Sequence, residues 1–154
     1  MDVEKTIREY IEPLVHLSLA TASDNAPWVC EVHYAYDYDL NIYFLSLATR
    51  RHSQEIANNA RVAGNIVRQH DLGEAGVGVY FEGTARMLEP GKEQNVAFAC
   101  LKARLKVGEK MLEEAKRDDG HKFYKITVDN WYVFGKFDGQ PSQKYQLVWN
   151  GGKR

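Results

Sequence analysis

The sequence predicts a mainly β protein, an antiparallel barrel that is closed or nearly closed and carries a few peripheral helices. Three observations support this. Seven or so short extended runs are separated by turn-rich loops. They follow one another in hairpins rather than alternating with helices, which argues against the parallel sheet of βαβ proteins. Helical patterns occur only at the start, the middle and after the fifth run, and closing the sheet leaves no long exposed strand edge.

Taken in order, Val3, Ile7, Tyr10, Ile11 and Leu14 recur at spacings of three and four, which predicts an amphipathic helix stopped near Pro13. Residues 17–23 (LSLATAS) read as a strand, and the turn residues from Ser23 to Pro27 lead into a second run over 28–37. Alternation puts Val29, Glu31, His33 and Ala35 on one face of that run and Trp28, Cys30, Val32 and Tyr34 on the other. With the strand at 40–47, short loops predict a three-stranded antiparallel meander. Further strands are expected over 61–69 and 78–88, the latter with a bulge or sharp bend at Gly83. A helix over 93–105 with Val96, Cys100 and Ala103 on one stripe follows, then a shorter one over 109–116. Strands over 122–128, 131–136 and 145–149 complete the chain, which reads as one domain over residues 1–154.

The most informative stretch is LNIYFLSLATRRHSQEIANNARVAGN, residues 40–65. A buried strand breaks at Ala48-Thr49 into Arg50-Arg51 and then into a short helix. The first amides of a helix lack partners within it and its dipole leaves positive charge there, so such a turn suits a phosphate, with Thr49 or Ser53 as cap. The same residues also fit a turn with two solvated arginines, because arginine is mostly exposed.

Composition limits the alternatives. Twenty basic and 21 acidic residues give a net charge of −1, which speaks against the electropositive face of a nucleic-acid binder. The charged start, MDVEKTIREY, lacks a signal-peptide core, and no run approaches a membrane span, so a soluble cytoplasmic protein is expected. Cys30 and Cys100 read as reduced packing residues, and the scattered histidines offer no metal-ligand spacing, so no metal is expected. Neither a GxGxxG nor a GxxxxGK[ST] pattern is present.

With these elements placed, the order of LSLATAS, PWVCEVHYAYD, LNIYFLSL, TRRHSQEIANN, RVAGNIV and VYFEGTARML resembles the pyridoxamine 5'-phosphate oxidase-like, FMN-binding split-barrel family over about residues 10–135. The YFLS strand followed by RRH and a helix ending NNARVAG, and the FEGTARML strand, carry the likeness. It implies a homodimer with FMN at the interface and a flavin-dependent oxidoreductase of unknown substrate. By position Arg50 and Arg51 would hold the phosphate, with Thr49 and His52 beside them. Leu45 and Ser46 would follow the ribityl chain and ring, and Val32 and His33 would contact the isoalloxazine. Gln69 matches a polar ring contact, and Trp131 and Lys136 would reach the site from the C-terminal segment, across the dimer. The true oxidases carry a longer C-terminal segment that grips pyridoxal phosphate, and QLVWNGGKR lacks its motif, so that oxidation is not expected. Two alternatives stay open: a barrel that binds flavin or haem without turnover, and a cofactor that is F420 rather than FMN.

Overall fold

A computed structural model of the chain describes residues 1–153. Helix α1 (Val3–Ile11) is capped by Asp2, whose carboxylate accepts from the Lys5 amide, and it buries Ile7 and Ile11. β1 (His16–Ser23) and β2 (Ala26–His33) form the expected hairpin, with Ser23 opposite Ala26 and the two turn residues Asp24 and Asn25 at positive φ. Then come β3 (Ala35–Tyr36), β4 (Ile42–Leu47), α2 (Arg51–Asn58), β5 (Arg61–Ile66) and β6 (Gly78–Met87). Helices α3 (Lys92–Leu105) and α4 (Lys110–Glu114) lead to the long β7 (His121–Gly135) and to β8 (Gln143–Val148).

The strands form one antiparallel sheet in the order β2-β1-β5-β6-β7-β4-β3, with β8 added on β7. The two ends of this order, β2 and β3, are consecutive in the chain and separated only by Tyr34. The sheet therefore curls until one run of backbone serves both ends: its first half pairs with β1 and its second half with β4. This is a split barrel. The predicted meander is formed only in part: the second run reaches β4 through Ala35 and Tyr36 alone, β2 and β4 are not ladder partners, and the other edge of β4 pairs with β7, through Leu45 opposite Phe123 and Leu47 opposite His121.

Tyr34 is wholly buried and fully bonded at the switch. Its amide donates to the Val15 carbonyl at 3.1 Å and its hydroxyl to the Ile11 carbonyl at 2.6 Å. Its carbonyl accepts from Arg104 Nε at 3.0 Å. Arg104 comes from α3, lies 4.8 Å from the Tyr34 ring centroid, and also donates to the Ile11 and Leu14 carbonyls. Burial pushes the Tyr34 phenol up to about 12, against the opposing effect of Arg104.

The barrel interior is filled by Leu17, Leu19, Phe44, Phe81, Ile126, Val128 and Trp131, among others. A second cluster on the outer face of β4 and β7, with Tyr43 and Phe123, is covered by Leu101 of α3 and Met111 of α4. The register between β6 and β7 shifts between Glu82 and Gly83, where a Cβ would run into the Thr127 carbonyl, so the bulge at Gly83 is confirmed. Two other expectations change. α3 buries Gln94, Ala97 and Leu101, while Val96 and Ala103 are exposed, because the helix meets the sheet one residue further round. The fifth strand stops at Ile66, so residues 67–69 fall in a loop.

Arg104→Leu removes a donor from three backbone carbonyls at the strand switch, those of Tyr34, Ile11 and Leu14, of which Ile11 keeps the Tyr34 hydroxyl. Denaturant unfolding is expected to show a loss of about 2–4 kcal/mol, with an Arg104→Lys variant recovering only part of it.

Candidate functional site

The register between β3 and β4 sets Ala35 opposite Tyr43 and Tyr36 opposite Ile42. Continued past Tyr34, it brings His33 opposite Leu45 and Val32 opposite Ser46, yet no ladder joins β2 to β4 there. The two strands diverge and leave a slit between two backbone edges that have no strand partner. Strand alternation divides the four residues. Val32 and Ser46 point into the barrel and are buried, whereas His33 and Leu45 point outward. A ligand in the slit meets the backbone of the first pair and the side chains of the second.

His33 and Leu45 line an outer cleft of about 660 Å³, with Val15, Leu101, Leu105, Val107, Met111, Glu114 and His121 completing its walls. This volume falls within the range of small-molecule sites, and the lining is largely apolar with a few polar groups. Towards its α2 end β4 passes Leu47, whose cross-strand neighbour is His121, and reaches the arginine turn.

At that turn Arg50 occupies the N-cap of α2 in an extended conformation, and no side chain caps the helix. Neither Thr49 nor Ser53 takes that role. Thr49 is exposed, and Ser53 turns inward to donate to Ser46 Oγ at 3.1 Å. The first-turn amides are thus left for an external acceptor. Arg50 is exposed and, among the described residues, has no acidic partner. Arg51 is held differently: its Nε donates to Glu55 at 3.0 Å and its guanidinium lies 4.2 Å from the Trp28 ring centroid. Arg51 and Trp28 therefore bridge α2 to β2 at the open end of the slit. Glu55 also accepts from Thr21 Oγ1 at 2.6 Å, and these hydrogen bonds hold its carboxyl below the usual range.

His52 Nε2 lies 2.7 Å from Ser46 Oγ, tying α2 to β4. Burial lowers its imidazole below the ordinary value, with help from the Arg50 charge and against that of Glu55. Cys30 and Cys100 are both free, and burial raises both thiols, so neither is poised as a nucleophile.

Eight of the ten residues expected at the site, from Val32 to His52, come together around the slit and the arginine turn. Gln69 does not: it lies on the exposed loop after β5, where its amide donates to the His70 carbonyl. Trp131 is fully buried in the barrel, 5.5 Å from Phe81, so a cofactor on the outside of the sheet has no access to it. Lys136 is exposed beyond the end of β7. Four further residues belong to the neighbourhood. Glu55 was legible as the i+4 partner of Arg51, whereas Trp28, Glu114 and His121 reach it through tertiary packing.

The sequence matches the pyridoxamine 5'-phosphate oxidase family over residues 3–135. The chain belongs to this family. Solved structures with the split-barrel fold of the family include a haem-binding protein from Mycobacterium smegmatis, with a TM-score of 0.71 and 18% identity. That match covers 94% of this chain and 57% of the mycobacterial one, so this chain spans little more than half of its length. The haem storage protein HutZ from Vibrio cholerae matches with a TM-score of 0.64 and 18% identity, covering 96% of this chain and 95% of HutZ. A FAD-binding protein from Mesorhizobium loti matches with a TM-score of 0.62 and 20% identity, covering 83% and 89%. No curated protein matches the sequence. Among the described residues, no helix is long and apolar enough to cross a membrane.

Protonating His52 costs more in the folded chain than in the unfolded one. The unfolded state therefore takes up the proton first, and stability falls as pH drops below about 6.5. Urea unfolding at pH 7.5 and pH 5.5 is expected to show a smaller loss on acidification for His52→Gln than for the parent chain.

Proposed function

We propose that this member of the family binds a flavin nucleotide, FMN, across the slit and uses it as an oxidoreductase. The reading is carried by one observation: an arginine without an acidic partner, Arg50, stands at an uncapped helix start at the open end of two unpaired strand edges. The residues present suit each part of the cofactor. Arg50 and the first amides of α2 accept a phosphate, with Arg51 supplying its free guanidinium nitrogens while Glu55 and Trp28 hold it in place. The free backbone groups of β2 and β4 match a ring edge that both donates and accepts hydrogen bonds. Leu45 and the apolar cleft cover the ring faces. FMN when bound supplies hydride and one-electron chemistry, and the chain's task is to orient it and keep water away. His52 lies beside Ser46, where burial disfavours its charged form, and ties the start of α2 to β4.

A homodimer belongs to the same proposal. Val29 and Val148 stand 60% and 57% exposed, and a second copy would cover such residues and close the open side of the slit. Haem is a second reading, favoured by the two imidazoles, His33 and His121, that face one cleft; iron takes imidazole nitrogen readily. The visible spectrum separates the two readings: a flavin absorbs near 450 nm and a haem shows an intense Soret band.

Arg50→Ala is expected to weaken FMN binding by about 1.5–3 kcal/mol, the worth of a charge-assisted hydrogen bond, while riboflavin affinity stays unchanged. Equal losses for both ligands in fluorescence titration count against the phosphate assignment, and titration of F420 alongside tests the deazaflavin alternative. Light scattering of the purified chain is expected to give twice the 17.6 kDa chain mass.

A further inference from the structure

The far wall of the cleft holds a polar pair that phosphate and ring binding leave unused. His121 opens β7 and Glu114 ends α4, and both line the cleft. The connection between them is tight: the Gly120 amide donates to the Arg117 carbonyl at 3.1 Å, and a Cβ on Gly120 would collide with the Glu114 carbonyl. Only glycine allows the approach that sets the two side chains together. His121 Nδ1 then lies 3.3 Å from Glu114 Oε1. A carboxylate only accepts hydrogen bonds, so the hydrogen of the neutral ring belongs on Nδ1 and Nε2 keeps its lone pair. Glu114 is in turn 3.9 Å from Arg117 Nη2.

Around this acceptor the wall is apolar: Leu101, Leu105, Val107 and Met111. We propose that the α3–α4 side of the cleft takes a compact apolar ligand that presents a hydroxyl group to His121 Nε2, with Glu114 as the positioning residue that fixes the ring. As a substrate assignment this rests on the flavin reading; as a binding site it does not. An oriented imidazole that accepts a hydroxyl hydrogen is also placed to take that proton, and Glu114 then stabilises the imidazolium.

The test compares 2-naphthol with 2-methoxynaphthalene, which has the same ring system without the donor, by fluorescence titration of the purified chain with and without FMN. The parent chain is expected to bind the naphthol about tenfold more tightly than the ether, the equivalent of one hydrogen bond. His121→Ala should bind both equally. Glu114→Leu should lower the preference while leaving affinity for the ether intact, a pattern that general damage to the cleft does not produce. The proposal is overturned if the parent chain shows no preference, if His121→Ala retains it, or if FMN displaces the naphthol. A preserved preference in a chain that fails to bind FMN would sink the flavin reading and leave this site standing.

Discussion

The structure depends on a single change of hydrogen-bond partner at Tyr34. Up to His33 the strand belongs to β1, and from Ala35 it belongs to β4. An antiparallel sheet of this length must twist, and joining its two ends through one covalent chain curls it into a barrel. The change would be costly if it left buried backbone groups unsatisfied. It does not, because Val15 and Arg104 take the amide and carbonyl of Tyr34, and its hydroxyl reaches Ile11. Arg104 thereby links α3 and the C-terminal end of α1 to the sheet at the point where its ends meet.

The candidate site is a direct consequence. A strand that changes partners must diverge from one of them, so β2 and β4 part immediately before the switch. Their inner edges are the backbone groups the barrel cannot pair for itself. A soluble fold ordinarily hides or blunts such edges. Here the slit closes at the switch and opens at its other end, beside the stacking of Arg51 on Trp28, towards a helix start that no side chain caps. Geometry that weakens the sheet also supplies directed donors and acceptors, and the two effects cannot be separated.

The two arginines illustrate how packing divides residues that are equivalent in sequence. One turn of α2 places Glu55 under Arg51, and Thr21 of β1 anchors that carboxylate from below, so Arg51 becomes part of the scaffold. Arg50, one residue earlier, has no such neighbour. The charge that remains free for a ligand is therefore chiefly one guanidinium together with the helix start, rather than a pair acting alike.

By itself the sequence determined what local chemistry controls. Apolar periodicity marked α1, the Asp24-Asn25 turn marked the first hairpin, Gly83 marked the bulge, and Thr49-Arg50-Arg51 marked the helix start. The family resemblance added the residues of the slit from Val32 to His52. Partner choice was decided only by the tertiary structure. An alternating run such as 28–37 states which residues face the interior, but how far it pairs with each neighbour is a property of the closed sheet, and for this reason the expected meander holds with β4 only beyond the switch at Tyr34. The same limit applied to Trp131, whose burial in the barrel follows from closure, and to His121 with Glu114, which meet because Gly120 permits two segments to touch. Contacts within four residues follow from local backbone geometry, whereas contacts across the barrel depend on how the whole sheet curls.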